Sequence, residues 1–220
     1  MRPAPTASAS ATASALRRRA ALGALGIAAA IALTACGATA HPGAAAIVGD
    51  QRITTAALDS HLTAYRSALS SAAVQTGGGG TEAAGLVRHT LQLLVESRLV
   101  DDQLQAQGLT VSTAEVERAR ASAIQQTGSE QALEQVFLQQ IGLAPGDIDE
   151  YFRMSVGEQK LLAAQGIAPT DQNASAAITA MLDSAAKQHP VSVNPRYGRW
   201  NPKEAAVAAA TQPWIRTSTS

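Results

Sequence analysis

The residue best placed to do chemistry is Cys36, the only cysteine among 220 residues. It closes the string Leu33-Thr34-Ala35-Cys36, which follows Arg17-Arg18-Arg19 and the fourteen apolar or glycine residues 20–33. A basic patch, a short apolar run and a small-residue cleavage region make a secretory signal. The run is shorter than the roughly 20 apolar residues that a membrane span needs. The string L-T-A-C resembles the bacterial lipobox, in which the cysteine sulfur is diacylglycerylated and the chain is then cut just before it. That chemistry needs a nucleophilic sulfur at the membrane surface and small neighbours that fit a peptidase. Cys36 is then a lipid attachment point, with Leu33, Thr34 and Ala35 as its recognition residues, and a thiol so used is unavailable for catalysis. Two acyl chains, palmitate for example, anchor durably where one anchors only marginally. A twin-arginine signal fits less well, because Ala20 and Ala21 stand where a bulky residue is expected after the arginines.

Nothing else in the chain has the spacing of a reaction centre. His41, His61, His89 and His189 are scattered, with no i,i+4 pair and no neighbouring Cys, so neither a metal site nor a cofactor is expected. Serines abound, but there is no G-x-S-x-G and no placed His/Asp pair to activate one. Asp101-Asp102 reads as the solvated edge of a helix. Asp147, Asp149 and Glu150 read as the acidic first turn that a helix dipole favours. Asn173-Ala174-Ser175 falls at a helix start, where Asn is a good cap. Four glycines, residues 77–80, are not followed by Lys-Ser/Thr, so they read as a flexible loop rather than a phosphate cradle. The sequence therefore predicts no catalytic residue and no enzyme.

The elements that must carry these residues are helical. Alanine accounts for 48 residues, aromatics for 3% and charged residues for 15%, against roughly 25% charged in an average soluble domain. Abundant Ala, Leu, Gln and Arg with few aromatics favours helices over a sheet sandwich. Seventeen Lys and Arg balance seventeen Asp and Glu, but four of the arginines lie in residues 1–35 with no acid beside them. Without that stretch, 13 basic groups face 17 acids, a net charge near −4. Such a chain has no bulk attraction for phosphates, which excludes nucleic acid as a partner.

Residues 46–54 read as a small hairpin, two short apolar runs around Gly49-Asp50. Thr54 or Thr55 caps a first helix to about residue 75, with Leu58, Leu62, Tyr65 and Leu69 on one stripe. Residues 82–107 form the longest helix, apolar on more than one face and so central. Ser112-Thr113-Ala114-Glu115 is a capping box for a third helix ending near Gly128. Ser129 starts a fourth, residues 145–165 make a fifth, and Thr170-Asp171 caps a sixth that stops before Pro190. Val191-Ser192-Val193 alternates like a strand. A two-stranded hairpin is marginal alone, so residues 191–193 are expected to close it into a three-stranded sheet. The domain layout that follows is a signal over 1–35, a spacer over 36–45, a helical domain over 46–200 and a disordered tail over 201–220.

That order of elements carries a resemblance. Ile47-Val48-Gly49-Asp50-Gln51-Arg52-Ile53-Thr54 resembles the V-N-G-x-x-I-T opening of SurA-like and PrsA-like chaperones. Residues 93–100 are similar to their L-I-x-x-x-L-L helix, and residues 107–116 to their G-I-T-V-S-D-A-E-V junction. Val193-Asn194-Pro195-Arg196-Tyr197-Gly198 is similar to their V-N-P-R-[FY]-G segment. The resemblance implies a mostly α fold, a helical SurA N-terminal-like or trigger-factor-like chaperone domain with a small β-hairpin closed by a C-terminal strand.

One departure shapes the functional reading. Members of that family carry a parvulin prolyl-isomerase domain before the closing strand, whereas here residues 167–190 provide only 24 positions. Independent folding below about 40 residues usually needs staples, so the isomerase is expected to be absent. The resemblance then implies a lipid-anchored chaperone on the extracytoplasmic face of a bacterial membrane, whose partners are unfolded exported polypeptides. The alternatives are a structural lipoprotein with one envelope partner and a prolyl isomerase. Phe137, Leu138, Leu143 and Tyr151 are the candidates to line an apolar peptide-binding cradle, and the same residues would equally serve to close a core.

Cys36→Ala is expected to abolish incorporation of radiolabelled fatty acid and to leave the chain uncut at this position or released as a soluble form. Equal labelling of the wild-type and Cys36→Ala chains would remove Cys36 as the attachment point.

Overall fold

Strand β1 (Ala44–Val48) has no polar residue, and four of its five residues are buried. A strand of that kind has to lie between neighbours. In the computed structural model, which describes residues 43–76, 82 and 84–210, it is the middle strand of three. Leu33, Thr34, Ala35, Cys36, His41, the glycines at 77–80 and residues 211–220 lie outside the described residues. All the described residues belong to one compact unit.

Strand β2 (Gln51–Thr54) returns antiparallel through Gly49-Asp50, with Val48 opposite Gln51. Gly49 has φ +58°, a conformation that glycine adopts without strain. Strand β3 (Val191–Val193) pairs antiparallel with the other edge of β1, Ala46 opposite Val193 and Val48 opposite Val191, so the order is β2-β1-β3. The sheet expected from residues 46–54 and 191–193 is therefore present, but it starts earlier. Ala44 and Ala45 are strand residues buried under the helices rather than the end of a spacer, because a side chain as small as alanine fits beneath a helix.

Helix α1 (Thr55–Thr76) is capped by Thr54, whose hydroxyl accepts from the Ala57 N–H at 3.0 Å. Leu58, Leu62 and Tyr65 face inward, and Leu69 is half-buried. Helix α2 (Leu86–Ala106) begins four residues later than the sequence suggested, since Gly85 takes a left-handed conformation and Glu82 is left outside. Leu91, Val95, Leu99 and Val100 are buried, and α2 touches α1, helices α5 and α6, and the sheet. Its approach to α5 (Ile148–Ala164) is close at Gly157. A Cβ there would stand 2.8 Å from Val100 Cγ1 and 2.9 Å from Leu104 Cδ1.

Helix α3 (Thr113–Thr127) opens on the expected capping box, with Ser112 and Glu115 bonded reciprocally. None of its residues is fully buried. Its Ala123 and Ile124 pack on the small core around Phe137, and ion pairs add to this contact: Lys160 to Glu115 at 2.7 Å, and Arg120 to Asp149 at 2.5 Å and to Glu130. Helix α4 (Glu130–Val136) is capped by Ser129 and runs into one π-helical turn (Phe137–Ile141). A 3-10 turn (Pro145–Asp147) then leads into α5.

Two expectations about the C-terminal part are corrected. Helix α6 (Ala174–Gln188) is not capped by Thr170-Asp171. The Asp171 carboxylate accepts from the Ala168 N–H at 2.8 Å, so it closes the preceding turn, and Asn173 takes the cap position without a side-chain bond. Nor is the chain irregular from residue 201. Strands β4 (Arg199–Asn201) and β5 (Ala206–Ala208) form a hairpin with Trp200 opposite Val207. Its outer edge is bonded by the side chain of Gln92 on α2, which donates to the Ala205 carbonyl at 3.0 Å and accepts from the Val207 N–H at 2.5 Å. A glutamine amide here substitutes for a neighbouring strand.

Candidate functional site

Three places among the described residues gather polar groups, and they differ in what they can do. The first is a cavity of about 700 Å3 between α1, the start of α2 and the C-terminal hairpin. Helix α1 contributes Asp59, Leu62 and Arg66. The approach to α2 and its first turn contribute Glu82, Leu86, Val87 and Arg88, and the chain after β3 contributes Arg196, Tyr197 and Ala210. Its volume lies within the range of ligand sites, and it is open to solvent. Arg66 binds Glu82 through two bonds, Nε to Oε2 at 2.7 Å and Nη2 to Oε1 at 3.1 Å. This pair keeps the Glu82 carboxyl below its ordinary range, though solvent and salt screen it. The walls are part apolar and part charged.

The second place is a small apolar cavity of about 40 Å3 between α1, α2 and α5. His61 Nδ1 lies 3.0 Å from Asp147 Oδ1, and Ser97 Oγ donates to Glu150 Oε1 at 2.8 Å. The hydrogen bond to Asp147 raises the His61 pKa, against burial, which lowers it. Ser97 bonds Glu150 rather than His61, so no activated nucleophile results. The pair instead ties α1 to the turn before α5, and His89 Nε2 makes a second tie at 2.6 Å to the Ile141 carbonyl.

The third is a carboxyl pair across α2 and α5. Glu96 and Glu158 hydrogen-bond each other, and burial pushes the Glu158 carboxyl up to about 8, with the Glu96 charge adding to it. Burial raises Glu96 as well, while Gln92 bonds it in its charged form. At neutral pH the two therefore share a proton, since two half-buried carboxylates at hydrogen-bond distance repel. The pair connects, through Gln92, to the hairpin edge at Ala205 and Val207.

The residues expected to line a cradle are placed otherwise. Phe137, Leu138 and Leu143 are 4%, 4% and 7% exposed, and Phe137 meets Tyr151 edge-to-face at 5.1 Å. Phe137 and Leu143 join Leu133 and Ile148 in a small second core, Leu138 belongs to the main core, and Tyr151 packs between the two. Phe137 and Leu138 are thus spent on closing the interior, while Leu143 and the half-buried Tyr151 border only the small cavity between α1, α2 and α5. Asp101 is ion-paired to Arg153 at 2.6 Å, but Asp102 is not on a solvated edge. It is 7% exposed, accepts from Gln51 Nε2 at 2.9 Å, and faces His189 at 3.9 Å. No group of three or more metal-binding side chains occurs among the described residues, nor any helix long and apolar enough to cross a membrane. The groove arginines and the Glu96–Glu158 pair escape sequence reasoning, since their partners lie on separate elements. Arg196 alone carried a signal, as part of the Val193–Gly198 segment.

The protonation states give a signed expectation. His61, Glu96, Glu158 and Asp102 all have folded-state values above their ordinary ones. The folded chain therefore binds more protons than the unfolded chain, and stability falls as pH rises. For Glu158 the window runs from its ordinary 4.5 to about 8. Glu115 acts oppositely: Lys160 and Ser112 hold it at about 2, so its contribution is lost only as pH falls below 4.5. Urea midpoints should decline between pH 5 and pH 8, and Glu158→Gln should flatten most of that decline while raising the midpoint at pH 8. A pH-independent midpoint in the wild-type chain would contradict the shared proton.

The SurA-like N-terminal domain family matches residues 14–162, from the leading segment to α5. No match emerged among curated proteins or among solved structures. The family is a chaperone-like one, of protein folding in the cell envelope. With the helices, the capping box and the sheet arranged as they are, and with 149 of the 220 residues matched, the chain belongs to the SurA-like N-terminal domain family.

Proposed function

We propose that this chain is a lipid-anchored, chaperone-like protein that holds unfolded segments of exported polypeptides without catalysing prolyl isomerisation. The observation that carries this reading is the open groove of about 700 Å3 on a domain of this family. Holding an extended chain requires apolar wall for side chains and polar groups for its backbone, and the half-buried Val87 and Tyr197 stand there beside Asp59 and the arginines. The Leu33-Thr34-Ala35-Cys36 string supports attachment through Cys36 to the extracytoplasmic face of the membrane. Isomerisation would have to lower a barrier of about 18–20 kcal/mol at an X-Pro bond, which needs a pocket that desolvates and twists that bond. The stretch between α5 and β3, where a catalytic domain is inserted in the architecture the sequence resembles, is occupied by α6 alone.

The full chain in detergent should suppress aggregation of a chemically denatured client at roughly equimolar ratio, and leave the cis/trans rate of a proline tetrapeptide at its spontaneous value. Acceleration proportional to protein concentration would overturn the non-enzymatic reading. Failure to slow the aggregation of several clients, with one stoichiometric partner recovered by crosslinking in membranes, would favour a structural subunit.

A further inference from the structure

The segment Val193-Asn194-Pro195-Arg196-Tyr197-Gly198 has a structural task at most of its positions. Val193 pairs with Ala46. Asn194 donates from its backbone to the Ala45 carbonyl at 2.9 Å and from Nδ2 to the Ala44 carbonyl at 3.1 Å, while its Oδ1 accepts from the Arg196 N–H at 3.0 Å. This Asx-type turn fixes the segment to β1. Tyr197 donates from its backbone to the Asn194 carbonyl at 2.8 Å and packs on the main core. Gly198 lies where a Cβ would stand 2.5 Å from the Ala208 carbonyl oxygen, so no other residue fits. The Arg196 side chain has no such task. Its guanidinium is 5.9 Å from the Tyr197 ring centroid, pairs with no carboxylate among the described residues, and lines the groove.

A second guanidinium faces the same space. Arg88 is the third residue of α2, a helix with no acidic residue in its first turn. A cation at that end has the sign the helix dipole disfavours, and no ion pair among the described residues compensates it. Arg66 is already occupied by Glu82. The groove thus sets three guanidiniums against the carboxylates of Glu82 and Asp59, on a chain that is acidic once residues 1–35 are set aside.

We propose that Arg88 and Arg196 bind side-chain carboxylates of the extended client segment, so that the groove selects acidic stretches of unfolded chains over basic ones. This rests on the groove being the client site. The guanidinium fork matches a carboxylate with two parallel bonds. The acidic body repels such a segment at long range, so the selection is made at contact, within the roughly 10 Å over which charges act at 0.1 M salt.

The test uses three fluorescent peptides of one unstructured Leu/Ser/Gly host, amidated at the C-terminus and carrying two Glu, two Lys or neither, titrated with the full chain in detergent. At low salt the Glu peptide should bind about tenfold more tightly than the Lys peptide, and high salt should erase the difference. The double variant Arg88→Glu/Arg196→Glu should reverse the order, and Arg88→Gln/Arg196→Gln should abolish it, each difference being read as the ratio of Glu-peptide to Lys-peptide affinity within one variant. Binding of the neutral peptide with no discrimination between Glu and Lys, or discrimination unchanged in both variants, would overturn the selectivity and leave the client site standing. If none of the three peptides binds, the client site itself is wrong and the selectivity falls with it.

Discussion

The pairing of β3 on β1 is the constraint on which the rest of the molecule depends. Backbone hydrogen bonds between residues 46–48 and 191–193 bring the two ends of the described chain together, and Asn194 fastens the join to carbonyls 150 residues away in sequence. A β1-β2 hairpin alone would be marginal in water. With the third strand present, Ala45, Ala46 and Val48 can be buried beneath the helices, and β1 becomes an interior strand without polar residues. The same join delivers Arg196, Tyr197 and the C-terminal hairpin to the mouth of the groove. One wall of the candidate client site is therefore built from residues 55–88 and the opposite wall from residues 196–210.

Helix α2 is the second organising element, and several of its polar residues are held by specific bonds. Thr90 bonds back to the Leu86 carbonyl, Ser97 bonds Glu150, Gln92 holds the hairpin edge, Glu96 shares a proton with Glu158, and Asp102 accepts from Gln51 at the hairpin strand β2. A helix touched on nearly every side can keep polar groups only if each is satisfied locally or held neutral. Burial of the carboxyls makes the fold a proton-binding one, with its stability weighted towards mildly acidic conditions. The close approach at Gly157 and the carboxyl pair at Glu158 are adjacent, so the α2/α5 contact sets a close-packed glycine beside a carboxyl whose pKa burial raises.

How much of this could be read in advance depended on whether a feature is local. The capping box at Ser112–Glu115, the turn at Gly49-Asp50 and the apolar stripe of α1 are written in consecutive or helically spaced residues, and they stand as expected. The closing strand was legible only through a physical argument about marginal hairpins. The start of α2 was misplaced because Gly85 adopts a left-handed conformation that composition does not announce. The β4–β5 hairpin was missed because what holds it is distant in sequence: Ala205 and Trp200 pack on the main core, and Gln92, more than 100 residues away, bonds its edge. Phe137, Leu138, Leu143 and Tyr151 could serve surface or core by residue type, with core the better reading, and their contacts with Leu133, Ile148 and the main core are formed across separate elements. Of the groove, the stretch Arg196-Tyr197-Gly198 left the clearest trace in the sequence.

The central claim is that unfolded chains lie in the groove between α1, the first turn of α2 and the C-terminal hairpin. A photo-crosslinking amino acid at Val87, on the groove wall, and in parallel at Ser122, on the exposed side of α3, tests it most directly. The account predicts that an unfolded client crosslinks to position 87 and not to position 122. Capture at position 122 with none at position 87 would contradict it.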